Sequence, residues 1–225
     1  MLQEPWPTSV EEALALQERL RTLVTHTGPS IEDVRRLGGL DVSYSKDGSR
    51  LSAAVVVLDM GTLNVEQVTT YEDTPKFGYV PGLFSFREAP PLLAALENVD
   101  PLPDVLLCDG HGIAHPRRFG LACHIGVITG IPTIGVAKQA MIGHYEEPDG
   151  PQGSWSPLMD AGKVIGRALR TADNVKPVFV SIGHKISLDT ACDIVVHSTP
   201  KYRIPQPIRL ADQASRHVLR AGTVT

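Results

Sequence analysis

Two periodicities follow one another along this chain, and their order restricts the fold that it can adopt. In the first third, runs of apolar and β-branched residues are separated by the turn signals Lys46–Gly48 and Asp59–Gly61. These runs predict an antiparallel meander of three strands, at Leu37–Tyr44, Leu51–Asp59 and Thr62–Asp73. From Ser85 onward helical and strand-like segments alternate instead, which is typical of parallel strands joined by crossover helices.

The expected fold is therefore α/β, a mixed sheet in which the meander is followed by parallel strands and helices flank the sheet. After the meander the predicted helices are Arg87–Val99, Leu121–Thr129, Leu188–Val195 and Ile208–Arg220, and the predicted strands are Asp104–Cys108, Thr133–Ala137 and Pro177–Ile182. An amphipathic helix is predicted before the meander, at Val10–Val24. The acidic, proline- and glycine-rich segment Glu146–Asp160 is interpreted as a surface loop or a short hairpin.

Composition limits the classes of function. With 225 residues, 42% of them hydrophobic, the chain can bury one full core, so we expect one domain over residues 1–225. The three cysteines are widely spaced among apolar residues, which favours buried thiols in a reducing compartment. We find neither a secretory leader pattern nor a long uncharged apolar run, so we expect a cytoplasmic protein. A net charge of −4 argues against a broad basic surface, so any contact with nucleic acid must be local.

Polar residues follow three of the predicted strands. Asp109 opens the run Asp-Gly-His-Gly after one strand, Lys138 follows the next, and His184 and Lys185 follow the third. In open α/β sheets, ligands bind beyond the carboxyl ends of parallel strands. We therefore expect a carboxylate, an ammonium and an imidazole to meet at one edge of the sheet.

Three carboxylates are the main candidates for chemistry, and two of them, Asp109 and Glu88, also have a simpler interpretation. Asp41 interrupts an apolar strand, where an unpaired acid is costly to bury. Asp109 precedes a glycine and would suit an ordinary turn. Glu88 follows Ser85 by three residues, so the two could form a capping box. If the three converge, they would provide the oxygen ligands that Mg²⁺ prefers.

Long motifs distributed over nearly the whole chain resemble those of the endonuclease V family. They are Gly39–Tyr44, Tyr79–Glu88, Asp109–Pro116, Gly135–Lys138, Val180–Lys185 and Tyr202–Pro205. The resemblance implies a ribonuclease H-like fold in a single catalytic domain. It also implies cleavage of nucleic acid at inosine, the product of adenine deamination, in DNA repair. The second phosphodiester bond 3′ to the inosine would be hydrolysed, leaving 3′-hydroxyl and 5′-phosphate ends.

The resemblance assigns a metal site and a phosphate contact. Asp41, Glu88 and Asp109 would bind Mg²⁺, for which Mn²⁺ substitutes, and Asp212 would complete the set at a position where the family has Asp or His. Without the resemblance, Asp212 is better explained as part of a solvated helix face. Lys138 would hold the phosphate or orient the attacking water.

Recognition of the base requires other residues, because a base must leave its stack to be read. Tyr79 matches the family's wedge position, and Pro81 follows in the same turn. Backbone groups at Gly82, Gly110 and Gly112 could approach the extruded base, since these residues lack side chains. Candidate apolar walls are Leu83, Phe84 and Leu121, for which core packing is the alternative.

His115 matches a family position near the active site, whereas His111 and His184 are better explained as loop histidines. Local positive charge comes from Arg117, Arg118, Lys185, Lys201, Arg203 and Arg209, so we expect binding that weakens with salt.

Several alternatives stay open. The chain could act mainly as an inosine-specific endoribonuclease on single-stranded RNA, because contacts to the 2′-hydroxyl leave no spacing signature. It could also be a Mg²⁺-dependent phosphohydrolase of small phosphate esters, or a binding module without catalysis. A monomer is expected, and no membrane contact.

Overall fold

The fold is built on one mixed sheet with helices on both faces. The computed structural model describes residues 5–221. In this range the strands are β1 Arg36–Tyr44, β2 Leu51–Asp59, β3 Val65–Asp73, β4 Val105–Asp109, β5 Thr133–Ala137, β6 Trp155–Asp160, β7 Lys163–Leu169 and β8 Val178–His184. The helices are α1 Val10–Leu20, α2 Ser85–Leu96, α3 Leu121–Thr129, α4 Leu188–His197 and α5 Gln206–Ala221, with 3-10 turns at Arg21–Leu23 and Ile31–Asp33.

The strands are ordered β3-β2-β1-β4-β5-β8-β7-β6. β1, β2 and β3 form the predicted antiparallel meander, and β4 and β5 continue parallel to β1. The mixed sheet flanked by helices that the sequence predicts is therefore confirmed. The third strand begins at Val65 rather than at Thr62, because Thr62 donates its backbone N–H to Asp59 Oδ1 (2.8 Å) within the preceding turn.

The direction of β8 was predicted wrongly. This strand runs antiparallel to β5, with Thr133 paired to His184 and Ala137 to Phe179. His184 and Lys185 therefore lie beside the start of β5, at the opposite end of the strands from Asp109. There the Nζ of Lys185 donates to the carbonyl of Gly130 at 3.0 Å. The imidazole of His184 therefore does not lie with the carboxylate of Asp109 and the ammonium of Lys138, as had been expected.

The segment Glu146–Asp160 is less irregular than a surface loop. Its second half is strand β6, which pairs with β7 through a two-residue turn, Ala161 and Gly162, both with positive φ. Burial alternates along the first part of β6, with Ser156 and Leu158 buried and Trp155 and Pro157 exposed. Of the two interpretations, the hairpin was therefore closer to the structure. The observed hairpin extends to Leu169 and adds two strands to the sheet.

Both faces of the sheet are covered by apolar helix faces. Along β4, Val105 and Leu107 pack in the cluster that contains α4, while Leu106 and Cys108 pack in the cluster that contains α2 and α3. The cysteines are free and buried, as predicted. Within residues 5–221, no helix has both the length and the apolar character needed to span a membrane.

Helix α2 begins two residues earlier than predicted, so its prolines fall in the second turn. Pro90 has no N–H to donate to the carbonyl of Phe86, and Trp6 Nε1 donates to that carbonyl instead at 2.9 Å. Through this hydrogen bond, Trp6 of the N-terminal segment stabilises the start of the helix that contains Glu88.

Candidate active site

An open cleft of about 550 Å³ lies where β1, β4 and β5 meet α2 and α5. Asp41 and Asp109 are neighbours across two parallel strands, since the register pairs Leu40 with Cys108. Lys138 directly follows β5, Glu88 lies in α2 and Asp212 in α5. The cleft is lined by Asp41, Val42, Ser43, Tyr44, Phe84, Glu88, Asp109, Lys138, Asp212 and Arg216. All five residues predicted for catalysis and metal binding therefore line one cleft.

Asp41 is buried in β1 next to other acids. Its carboxylate accepts a hydrogen bond from Ser215 Oγ at 3.1 Å. Burial, followed by the charges of Asp109 and Asp212, raises the pKa of Asp41 to about 7. The cleft therefore holds more negative charge than the surrounding protein compensates.

Glu88 is buried in α2, and its Oε1 accepts a hydrogen bond from Tyr44 Oη at 3.2 Å. Burial, with the charge of Asp41 as the next cause, raises the pKa of Glu88 well above its ordinary value. The capping-box interpretation was wrong, because Ser85 is already inside the helix and Phe84 precedes the first turn without a side-chain cap. Glu88 thus points into the cleft instead of capping the helix.

The other two acids are paired with cations. Lys138 Nζ lies 2.6 Å from Asp109 Oδ2, and Arg216 Nε lies 2.7 Å from Asp212 Oδ1. Burial lowers the pKa of Lys138, but the bond to Asp109 and the attraction of the nearby acids outweigh it, so the pKa is raised. With these pairings, the described part of the chain contains no group of three or more His, Cys, Asp or Glu side chains already arranged to hold an ion.

The chemistry of this cleft nevertheless fits a hard divalent cation. Four carboxylates line it, and the pKa values of two of them, Asp41 and Glu88, are raised by burial and by the charges of the neighbouring acids. Oxygen ligands from a few carboxylates, with water and phosphate filling the other positions, are what Mg²⁺ takes. An ion bound here would compete with Lys138 and Arg216 for Asp109 and Asp212.

A second, mainly apolar pocket of about 310 Å³ adjoins the acidic cleft. It is lined by Tyr79, Val80, Pro81, Gly82, Phe84, Pro116, Arg117 and Met141. Phe84 belongs to both cavities, and Tyr79 meets it edge to face with ring centroids 5.8 Å apart. Because 72% of the Tyr79 side chain is exposed, the ring is available for stacking.

The turn at Gly82 is held by two residues that the sequence analysis did not select for this task. The carbonyl of Gly82, a residue with φ of +78°, accepts from Arg117 Nη2 at 2.6 Å and from Gln17 Nε2 at 3.0 Å. Gln17 also donates to the carbonyl of Phe119 and accepts from Arg117 Nε. Gln17 is fully buried on the apolar face of α1, and a lone polar residue on such a face is the signal that was available.

Two predicted pocket walls belong to the core instead. Leu83 is buried in a cluster with Phe86 and Phe119, and Leu121 is buried in the cluster under α2 and α3. For both residues the alternative expectation, core packing, is therefore the correct one. Neither residue lines the acidic cleft or the apolar pocket.

The glycines and histidines near the site serve mostly as scaffold. A Cβ on Gly112 would lie 2.0 Å from the carbonyl oxygen of Ile182, so this glycine permits backbone packing rather than approach of a base. Near Gly110 the nearest atoms to an added Cβ belong to Leu121, at 3.6 Å. His115 is buried, accepts from the N–H of Arg117 at 3.2 Å, and has its pKa lowered to about 4, mainly by burial.

His111 Nε2 lies 3.0 Å from the carbonyl of Gln139, in keeping with the loop interpretation. Several of the predicted phosphate contacts are already occupied by protein groups. Arg118 pairs with Asp160, and Arg203 donates to the carbonyl of Lys138 at 2.7 Å and to that of Pro177 at 2.8 Å. Arg203 therefore supports the strand end that carries Lys138.

A family model described as Endonuclease V matches residues 18–213. The chain belongs to the endonuclease V family. The endonuclease V of Trichormus variabilis (strain ATCC 29413 / PCC 7937) is 49% identical over 209 residues, which cover 93% of this chain and 95% of that relative. The crystal structure of the Streptomyces avermitilis endonuclease V superimposes with a TM-score of 0.93 at 47% identity, covering 99% of this chain and 98% of that one.

A further neighbour contains a ligand. It is a crystal structure of Ciona intestinalis endonuclease V in complex with a 24mer DNA containing an inosine followed by a ribo-adenosine, with a TM-score of 0.82 and 32% identity over 94% of this chain and 98% of that one. As a member of the endonuclease V family, the present chain is a nuclease that acts on phosphodiester bonds. Membership decides against a binding module without catalysis.

Proposed function

We propose that this nuclease recognises inosine in DNA and hydrolyses the second phosphodiester bond 3′ to it, leaving 3′-hydroxyl and 5′-phosphate ends, in the repair of deaminated adenine. The observation that carries the proposal is the junction of two cavities, an acidic cleft and an apolar pocket with an exposed aromatic ring, which share Phe84 as a wall. The Ciona relative bound to inosine-containing DNA supports the same substrate. Single-stranded RNA is the alternative substrate.

Mg²⁺ is the proposed cofactor, and Mn²⁺ is expected to substitute for it. Asp41, Glu88, Asp109 and Asp212 would hold the ion, because they supply carboxylate oxygens on one cleft. When bound, a divalent ion lowers the pKa of water and neutralises charge that develops on the departing 3′ oxygen. A monomer suffices, since every residue invoked belongs to one chain.

The protein's own groups would position the phosphate. Lys138 reaches Asp109 with Nζ and is half exposed, so the same ammonium can donate to a phosphate oxygen that enters the cleft. Tyr44 holds the Glu88 carboxyl through its hydroxyl, and Ser215 holds the Asp41 carboxyl. These two hydroxyls fix the orientation of the buried acids before substrate arrives.

The apolar pocket would take the base after it leaves its stack. The Tyr79 and Phe84 rings offer stacking surfaces, and Pro81 and Gly82 form the turn between them. Hypoxanthine presents an acceptor at O6 and a donor at N1, whereas adenine presents the reverse pair. Backbone groups along this turn can therefore distinguish the two bases, because their hydrogen-bonding sense is fixed by the fold.

The test is a single-turnover cleavage assay on matched single strands that contain deoxyinosine, inosine or adenine at one position, in Mg²⁺, Mn²⁺ or chelator. We expect one product from the inosine-containing strands, cut at the second linkage on the 3′ side, and none in chelator. Asp41→Ala and Asp109→Ala should remove cleavage, while Asp193→Ala, an exposed acid on α4, should retain it.

Equal cleavage of the inosine and adenine strands would contradict the proposed specificity. Full activity of either carboxylate variant would contradict the proposed metal site. Rapid hydrolysis of p-nitrophenyl phosphate, without cleavage of any strand, would favour the small-ester alternative. The ratio of rates on the deoxyinosine and inosine strands decides between DNA and RNA.

A further inference from the structure

We propose that a basic groove on the far side of the acidic cleft binds the phosphates of the strand that lies 3′ to the bond being cut. This groove has a volume of about 580 Å³ and is lined by Tyr44, Ser45, Lys46, Asp47, Ser49, Arg50, Arg216, Leu219 and Arg220. The inference rests on the proposed function, because the polarity of the strand depends on where the inosine sits.

The groove is continuous with the site already described. It lies between the turn that joins β1 to β2 and the last turns of α5, and it shares Tyr44 and Arg216 with the acidic cleft. The apolar pocket joins the same cleft at Phe84. Three cavities thus follow one another: the apolar pocket, the acidic cleft and the basic groove.

The groove concentrates positive charge on a chain whose net charge is −4. Four cationic side chains line it, and one acid, Asp47, lies among them. Asp47 is held in the turn by the hydroxyls of Ser45 (2.6 Å) and Ser49 (2.8 Å).

The four cations differ in how free they are to meet a phosphate. Arg50 pairs with Glu72, and Arg216 pairs with Asp212. Lys46 and Arg220 are exposed side chains at opposite walls of the groove, one on the turn and one on the helix. A phosphodiester chain passing between these walls would meet a cation on each side.

The lining indicates contact with the backbone of the strand rather than with its bases. Tyr44 is the one aromatic residue among the groove residues, and its hydroxyl is engaged with Glu88. Phosphate contacts from Lys and Arg fix the register of a strand without reading its sequence. The groove would therefore hold any sequence, while the apolar pocket supplies the selectivity.

The order of the cavities sets the 5′-to-3′ direction of the bound strand. If the base enters the apolar pocket and the bond to be cut lies in the acidic cleft on its 3′ side, the strand that continues past the cleft is the 3′ segment. A strand that ends soon after the cut bond would leave the basic groove empty. A strand extended only on its 5′ side would do the same.

The test compares the wild-type chain with the double variant Lys46→Gln, Arg220→Gln. Binding of labelled inosine strands is measured by fluorescence anisotropy in Ca²⁺, with a gel to verify that the strands stay intact, and again in chelator. One strand extends eight nucleotides to the 3′ side of the inosine, and the other extends eight to the 5′ side with two on the 3′ side. Lys163→Gln, an exposed cation on β7 at the other end of the sheet, is the matched control.

We expect the double variant to bind the 3′-extended strand about tenfold more weakly and the 5′-extended strand as the wild type does. The slope of log K against log salt on the 3′-extended strand should become shallower by about 1.4, which corresponds to two lost contacts on a single strand. The control should match the wild type on both strands, and melting temperatures should be equal throughout.

Unchanged binding of the 3′-extended strand, or equal weakening on both strands, would overturn the groove assignment. The proposed function fails separately, if the wild type binds or cleaves inosine and adenine strands alike. If the wild type prefers inosine strands, but the double variant binds each strand as tightly as the wild type does, only the groove assignment is contradicted.

Discussion

Replacing Asp41 by asparagine should make the metal-free protein more stable, although it removes a residue that we propose to be essential. Asp41 is buried beside other acids, so ionisation of its carboxyl costs free energy in the folded state but not in the unfolded chain. Asparagine has nearly the same shape and keeps an oxygen that can accept from Ser215 Oγ. The substitution therefore removes the charge and preserves the hydrogen bond.

The magnitude follows from the pKa of this carboxyl. The fold raises the pKa of Asp41 from 3.8 to about 7, and each tenfold change in the acid dissociation constant corresponds to about 1.4 kcal/mol. Because the folded pKa is the higher one, the stability that this group contributes is complete below pH 4 and is lost as the pH rises to about 7. The loss is about 4 kcal/mol at pH 8 and about 1 to 2 kcal/mol at pH 5.

The assay is urea unfolding of the wild type and of Asp41→Asn in chelator, at pH 5 and at pH 8. We expect the variant to exceed the wild type in the free energy of unfolding by about 3 to 4 kcal/mol at pH 8, and by about 1 to 2 kcal/mol at pH 5. For a chain of this size, the difference at pH 8 corresponds to a rise in melting temperature of roughly 6 to 16 °C. Asp193→Asn, at an exposed position of α4, should change the stability little at either pH.

Two results would contradict an ionisation cost at Asp41: no stabilisation of the protein by Asp41→Asn at pH 8, or a gain in stability that is the same at both values of pH. The first result would mean that the cleft already compensates the charge of Asp41. The second would mean that the gain comes from packing and not from ionisation. With saturating Mn²⁺ the advantage of the variant at pH 8 should shrink, because a bound cation offsets the charge in the wild type.

Three further predictions concern the surroundings of the cleft. Gln17→Ala should lower the free energy of unfolding by about 2 to 4 kcal/mol in urea titrations, since it leaves the buried carbonyl of Phe119 and the Nε of Arg117 without these partners; stability within about 0.5 kcal/mol of wild type would contradict this. Tyr79→Ala should weaken binding of an inosine strand by about 1 to 3 kcal/mol without changing the melting temperature, and Tyr79→Phe should restore it; a deficit shared by both would argue against stacking. Gly112→Ala should destabilise the protein by about 2 to 3 kcal/mol, because the new methyl group meets the carbonyl of Ile182. Gly78→Ala is the control, because the new methyl group there has open space. Equal melting temperatures of the two variants would disprove the close approach.

The local elements of the fold could be predicted from the sequence because they follow local rules. The meander, the crossover helices and the strand ends at Asp109 and Lys138 follow from periodicity and turn residues that lie within a few positions of one another. The acid at position 41 also stood out, because an unpaired carboxyl inside an apolar strand needs a reason. The motifs then ordered these features along the chain.

Other features depend on contacts between distant parts of the chain. The partner of Glu88 is Tyr44, forty-four positions away, and the partners of the Gly82 carbonyl are Gln17 and Arg117. A capping box at Ser85 satisfies the same local pattern as a helix that simply begins earlier, so the sequence could not choose between them. The buried polar residue on α1 indicated only that some partner existed.

By itself the sequence determined most of the strands and helices, and it marked the carboxylates that were candidates for the site. Only the tertiary structure decided the direction of β8, the β6–β7 hairpin at the edge of the sheet, and the convergence of Asp41, Glu88, Asp109 and Asp212 on one cleft. The physical reason is that side-chain periodicity reports which face of an element is buried, whereas strand order and direction are fixed by the pairing of backbone groups across the sheet. That pairing depends on every element at once.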